Sequence, residues 1–152
     1  MKRRTFLGSA MIGGAGWAIG INGAAVSRDY QAVELDPFQA ESVEEVLAAL
    51  GVESAEPSDR ILIRAPTVAE DGKAVPIGIA SDIDGTTEII VIASANPKPL
   101  AARYRFKGRA TPSVEYRLKI AKTTNLIAIV TAEGRRYRAQ TQVKVTRGGC
   151  GG

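Results

Sequence analysis

Residues 113–121 read SVEYRLKIA. Val114, Tyr116, Leu118 and Ile120 fall on one side of an extended chain and Glu115, Arg117 and Lys119 on the other, the period of two of a strand with one buried and one wet face. The same code recurs downstream, where Val143 and Val145 oppose Lys144. Working outward from this segment, short apolar or alternating runs occupy residues 61–65, 75–81, 88–93, 102–107, 125–132 and 138–146. Between them stand turn sequences: Glu70-Asp71-Gly72-Lys73, Asp84-Gly85, Asn96-Pro97-Lys98-Pro99 and Glu133-Gly134. About seven short strands at this spacing predict an all-β fold, an antiparallel β-sandwich.

One segment departs from that period. In residues 38–50, FQAESVEEVLAAL, the apolar residues Val43, Val46, Leu47 and Leu50 share one face of a helix. Ser42 or Asp36 is positioned to cap it and Gly51 to end it, while Glu41, Glu44 and Glu45 sit early, where the helix dipole favours them. This short amphipathic helix is expected to cover an open face or end of the domain. Together with residues 126–130 it is expected to contribute to the core or to an interface.

The 152-residue chain contains no histidine and one cysteine. Histidine-based acid–base pairs, Ser-His-Asp and Cys-His nucleophilic sites and histidine-ligated metals are thereby excluded. A lone thiol also makes neither an internal disulfide nor a cysteine-rich zinc site. No catalytic, cofactor-binding or metal-ligating residue is assigned. Apolar residues make up 45% and charged residues 24%, the composition of a globular protein.

The net charge of +4 is mostly that of the first residues, Lys2, Arg3 and Arg4. The remainder is polarised: residues 28–96 hold 4 basic and 14 acidic side chains, residues 97–152 hold 13 and 2. Such asymmetry steers partners or anions when the fold keeps the halves apart. Arg103, Arg105, Lys107 and Arg109 alternate with Tyr104 and Phe106. The aromatics lie opposite the charges and pack inward, which argues against nucleic-acid binding and leaves a solvated face or a contact with an acidic partner or anion.

Residues 1–27 read as an export leader: a positive start, 23 uncharged residues from Thr5 to Ser27 with six glycines, and the small stretch Gly23-Ala24-Ala25. A membrane anchor is the competing reading, weakened by the scarcity of Leu, Ile and Phe. Arg3-Arg4-Thr5-Phe6-Leu7 resembles the twin-arginine signal. Cleavage is expected after Ala25, so that residues 1–25 form the leader, 26–147 the domain and 148–152 a separate arm, with no stable membrane insertion after cleavage. Gly8, Gly13, Gly14 and Gly16 make no phosphate loop, because no strand precedes them and no lysine stands at the required offset. Asp82, Asp84 and Glu88 lack the spacing of a calcium loop and read instead as a solvated hairpin end.

The last residues are Thr146-Arg147-Gly148-Gly149-Cys150-Gly151-Gly152. Glycine gives up the most backbone entropy on ordering and buries no side chain, so this stretch is expected to form a thin flexible arm. Its glycines, Gly148, Gly149, Gly151 and Gly152, leave the Cys150 sulfur accessible. Three readings of the thiol stand: a buried structural cysteine, which the position disfavours; an intermolecular disulfide, to which an exported unpaired thiol is liable; and a covalent carrier thiol. In the third, the chemistry comes from a partner whose narrow cleft admits the arm. Arg147 favours the thiolate, but a flexible arm builds no rigid electropositive pocket.

The terminal Gly148-Gly149-Cys150-Gly151-Gly152 resembles the swinging arm of the SoxY family of sulfur carriers. Ala65-Pro66 with Ala69-Glu70-Asp71-Gly72 and Val75-Pro76, Asn96-Pro97-Lys98-Pro99 and Val143-Lys144-Val145-Thr146 resemble further family motifs. The resemblance implies an immunoglobulin-like sandwich exported to the periplasm by the twin-arginine pathway and paired with a SoxZ-like subunit. It implies that Cys150 carries thiosulfate-derived adducts without catalysing their reactions. Those belong to a c-type haem enzyme, SoxAX, to the SoxB hydrolase and, in systems that contain it, to the SoxCD dehydrogenase. Arg147 stands where the family commonly has an apolar residue, which places a charge on the side of an anionic adduct. The alternative remains a secreted binding or structural module whose cysteine cross-links two copies.

Overall fold

Ile89, Ile90, Val91, Ile92 and Ala93 follow one another with no polar residue between them, and none is exposed. A strand with this sequence needs cover on both faces. The computed structural model describes residues 36–147 and supplies that cover with a second sheet on one side and a helix on the other. The strands are β1 (Glu56–Pro57), β2 (Ile61–Arg64), β3 (Val68–Ala69), β4 (Val75–Ser81), β5 (Thr86–Ala93), β6 (Leu100–Arg105), β7 (Ser113–Leu118), β8 (Thr124–Ala132) and β9 (Arg135–Val145). The larger sheet runs β1-β9-β8-β5-β6, with β3 also on β9, and the smaller runs β2-β4-β7. This is an all-β, immunoglobulin-like sandwich.

Alternation assigns the side chains to layers. Ile89 and Val91 of β5, Leu126, Ala128 and Val130 of β8 and Val143 of β9 point into the space between the sheets. They meet Val75, Ile77 and Ile79 of β4 there. Ile90, Ile92 and Ile129 point the other way and pack with Val46 and Leu100. The 126–130 segment therefore serves both cores, one through its even positions and one through its odd.

A single helix, α1 (Val43–Ala49), makes the outer cover. The expected span of 38–50 is divided, because Ser42 is extended (φ −133°, ψ 159°) and starts the helix itself by accepting a hydrogen bond from Glu45 N at 3.1 Å. Glu45 reaches back to accept from Glu41 N at 2.8 Å, a variant of the reciprocal capping box. Asp36 caps a separate 3-10 turn, Pro37–Gln39. Gly51 ends α1 at φ +62°, a conformation that favours glycine. Arg136 on β9 then donates to the Gly51 and Leu50 carbonyls, so a cation holds the negative end of the helix dipole against the sheet.

All seven expected strands are present, and the shifts of β6, β9 and β7 each have an identifiable cause. Val91 pairs with Ala102 but Ile92 with Leu100, so Ala101 is an extra residue that bulges β6 and moves the strand toward the N-terminus of its expected span. β9 starts at Arg135 because Glu133 (φ 50°) and Gly134 (φ 73°) make a tight turn that lets Ala132 pair with Arg135. β7 stops at Leu118, where the Asn96 side chain takes over the backbone: Asn96 Nδ2 donates to Lys119 O and Ala121 N donates to Asn96 Oδ1, both at 2.9 Å. The two short strands have no alternation to reveal them. Both pair parallel to β9, Glu56 opposite Tyr137 and Val68 opposite Lys144.

Glu88 departs from the solvated hairpin end expected of it. Its side chain is 11% exposed and accepts from Arg103 Nε at 2.6 Å and Arg105 Nε at 3.2 Å. The basic stripe of β6 is thus partly neutralised from β5, and Tyr104 and Phe106 pack toward the inter-sheet core. Asp82 and Asp84 do remain exposed.

The two cores predict a graded response to truncation. Ile92→Ala, in the layer beneath α1, is expected to cost about 2–5 kcal/mol. Leu62→Ala, at a side chain 50% exposed, is expected to stay within about 0.5 kcal/mol. Urea unfolding of the two variants checks the contrast. A second prediction concerns Tyr116, whose buried Oη has no hydrogen-bond partner among the described residues and whose ring lies 5.8 Å from that of Tyr104. Burial, with a smaller contribution from Tyr104, raises its ionisation above the ordinary value of 10.0. The folded state therefore keeps the proton longer than the unfolded chain, and stability present below that value is lost as pH rises beyond it. Tyr116→Phe is expected to leave neutral-pH stability unchanged or raised by about 1 kcal/mol. It is also expected to flatten the alkaline decline, as read from unfolding midpoints across the pH range.

Candidate functional site

Cys150 and its glycines, Gly148, Gly149, Gly151 and Gly152, lie outside the described residues, as does the leader. What is described is the base from which the arm continues. β9 delivers Val145, Thr146 and Arg147, and the loop from Thr67 to Gly72 closes over them. Lys144 N donates to Thr67 O at 2.9 Å, Thr146 N to Ala69 O at 3.1 Å and Arg147 N to Glu70 O at 3.2 Å. Gly72 N returns a bond to Arg147 O at 2.8 Å. The Thr146 hydroxyl adds a further donor to Glu70 O at 3.0 Å.

A second loop buttresses the first. Val145 N donates to Thr123 Oγ1 at 3.1 Å, and Ile120 N donates to Gly72 O at 2.7 Å. Asp71 Oδ1 accepts from Lys73 N at 2.8 Å and shapes the turn that presents Gly72. The backbone N–H groups of Lys144, Val145, Thr146 and Arg147 are therefore all held by a fixed frame.

Among the described residues no group of three His, Cys, Asp or Glu is placed to hold a metal ion. A shallow groove on the outer face of the smaller sheet presents Arg64, Pro76, Gly78, Glu115 and Arg117, with Arg64 and Glu115 paired at 3.5 Å. It contains no nucleophile. Among the described residues no helix is long and apolar enough to cross a membrane.

A model of the family described as "Sulfur oxidation protein SoxY" matches residues 46–150, a span that runs through the arm base and reaches Cys150. The chain belongs to the SoxY family. It is also similar to the solved sulfur carrier protein SoxY of Chlorobium limicola f thiosulfatophilum, at 39% identity over 68% of this chain and 94% of that one, with a TM-score of 0.62. An endo-beta-1,4-mannanase from Thermotoga petrophila (9% identity, TM-score 0.43, over 68% of this chain and 23% of that one) carries no argument. Nor does the bacterial superantigen toxic shock syndrome toxin-1 (13%, TM-score 0.39, over 56% and 98%). A comparison with curated proteins gives no match.

Set beside this family, the sequence-derived residues divide in two. Arg147 is placed, exposed and bound through its backbone on both sides. The Glu70-Asp71-Gly72-Lys73 turn does more than reverse the chain, since it holds the arm base. Sequence reasoning missed that role and those of Thr123 and Thr146, because the contacts join segments far apart in the chain and no local pattern marks them. The double variant Thr123→Ala/Thr146→Val is expected to weaken the frame by about 1 kcal/mol per lost bond. Amide exchange of Val145 to Arg147 should accelerate by roughly ten-fold or more, while central β5 amides keep their protection.

Proposed function

We propose that the protein is a non-catalytic covalent carrier in thiosulfate oxidation, with sulfur intermediates attached to Cys150. The observation that supports this most directly is the family match, which extends through the arm base to Cys150 itself. The printed description of the Chlorobium relative as a sulfur carrier protein points the same way. A fixed base bearing a thiol on a glycine tether suits presentation to separate enzymes.

In this reading residues 1–25 direct twin-arginine export and the carrier works in the periplasm, paired with a SoxZ-like subunit. SoxAX joins thiosulfate to the Cys150 sulfur: a new S–S bond forms, the thiol proton leaves, and two electrons pass to the haem enzyme. SoxB then uses water to cleave the terminal S–S bond, releasing sulfate and leaving sulfane sulfur on the cysteine. SoxCD oxidises that sulfane where the system contains it. The carrier supplies the nucleophilic sulfur and its delivery, and Arg147 adds a positive charge near the anionic adduct.

The test is the intact mass of the protein taken from cells oxidising thiosulfate, before and after reduction, with a fragment map of residues 147–152. A reducible, sulfur-containing adduct confined to Cys150 is the expected result. Cys150→Ser should fold and bind its partner yet support no thiosulfate-dependent electron flow. Unmodified protein during active turnover, or a simple Cys150–Cys150 dimer whose reduction abolishes activity, would overturn the proposal in favour of a cross-linked binding module.

A further inference from the structure

β6 ends the larger sheet, and among the described residues it pairs only with β5. Phe106 N donates to Thr87 O at 2.9 Å, and the alternation of an antiparallel pair then turns the backbone groups of Tyr104 and Ala102 toward β5. The N–H and C=O of Arg103 and Arg105 point the other way, out of the sheet. Among the described residues no strand or loop supplies them with partners. The edge is therefore open to one further strand.

The side chains on that edge select what can be added. Arg103 and Arg105 share one face, and both donate through Nε to the same oxygen, Oε1 of the largely buried Glu88. Each guanidinium is thereby fixed, while its two terminal nitrogens have no acceptor among the described residues. Two such forks side by side suit further carboxylates. Residues 97–112 add Lys98, Lys107 and Arg109 and contain no Asp or Glu. Between the two arginines, Tyr104 turns to the opposite face and is only partly buried against the inter-sheet core. A second copy of this chain is the wrong occupant: antiparallel pairing about Tyr104 sets Arg103 of each copy opposite Arg105 of the other, and like charges in that position repel. A charged edge does guard a sheet against aggregation, but that duty needs no carboxylate beneath the arginines to fix them. The edge strand of the smaller sheet, β7, exposes Glu115 and Arg117 together and has no preference of sign.

We propose that the free edge of β6 is a docking strand for a different polypeptide, which joins the larger sheet as an added strand with carboxylates opposite Arg103 and Arg105 and an apolar residue opposite Tyr104. The outward backbone groups of the two arginines supply the main-chain bonds, and the alternation of cation and aromatic supplies the selection. Directly opposed residues of neighbouring strands share a face, so an acidic–apolar–acidic run matches the edge in side chain as well as in backbone. The inference goes beyond the carrier reading and does not depend on what Cys150 holds.

The test titrates the protein, kept reduced, with the end-blocked peptide Thr-Val-Glu-Val-Glu-Val-Thr and with its counterpart carrying lysine in place of glutamate. The acidic peptide is expected to bind at least about ten-fold more tightly than the basic one, and to weaken as salt is raised. At saturation the amides of Arg103 and Arg105, followed by NMR, should exchange at least about five-fold more slowly, while those of Glu115 and Arg117 on β7 stay unchanged. Arg105→Gln, which leaves Arg103 to pair with Glu88, should weaken binding about three-fold or more. Arg64→Gln removes the same charge from the smaller sheet and should leave binding unchanged. Both side chains are more than half exposed, and matching unfolding midpoints will show that both variants fold. Absence of binding at about millimolar acidic peptide, equal binding of the two peptides, or an equal loss in the two variants overturns the proposal. So does acidic-peptide binding that leaves the Arg103 and Arg105 amides unprotected, since that would be attraction by charge with no added strand.

Discussion

Ile89 to Ala93 must be shielded from water on both sides, and that requirement sets the number of layers in the molecule. An isolated sandwich covers only the inner side of its sheets. Ile90 and Ile92, facing outward with Ile129, would otherwise leave an apolar patch in solvent. α1 exists to close it: Val46 is fully buried there, and the capping by Ser42, Glu45 and Arg136 compensates for a helix too short to persist alone. The same demand keeps β5 inside its sheet, between β8 and the edge strand β6, with β9 on the far side of β8.

Most of the fold was legible because it is written in local period. The β7 alternation appears in the structure residue by residue, from exposed Glu115, Arg117 and Lys119 to partly or fully buried Val114, Tyr116, Leu118 and Ile120. What escaped were features decided between segments. The Ala101 bulge depends on β5, and the early stop of β7 on the distant Asn96 side chain. Glu88 was grouped with Asp82 and Asp84 by proximity in sequence, whereas its partners stand on the neighbouring strand. For the site, the Gly-Gly-Cys-Gly-Gly stretch is distinctive as sequence, but its frame is made of backbone bonds to loops whose side chains give no hint of them.

The division between frame and tether has a chemical logic. A carrier thiol has to enter clefts of different shape, which excludes bulky neighbours, and has to return to a defined position between visits. The first demand falls on glycine, whose missing side chain makes a slender chain. The second falls on the bonds that end at Arg147, beyond which nothing in the frame needs to yield.

The frame also ties the arm to the history of the chain. Thr146 and Glu70 lie 76 positions apart, and the bond between them is among the most non-local in the molecule. Contacts of such separation incur a loop-closure entropy cost before they return any energy, so they form late in folding. Parallel pairing of β3 with β9 adds to that delay, because no hairpin joins the two strands. A chain whose sandwich is incomplete therefore lacks the bonds that fix Val145 to Arg147 at the end of the sheet. The hydrogen bonds to Arg147 make an anchored β9 terminus a property of finished molecules only.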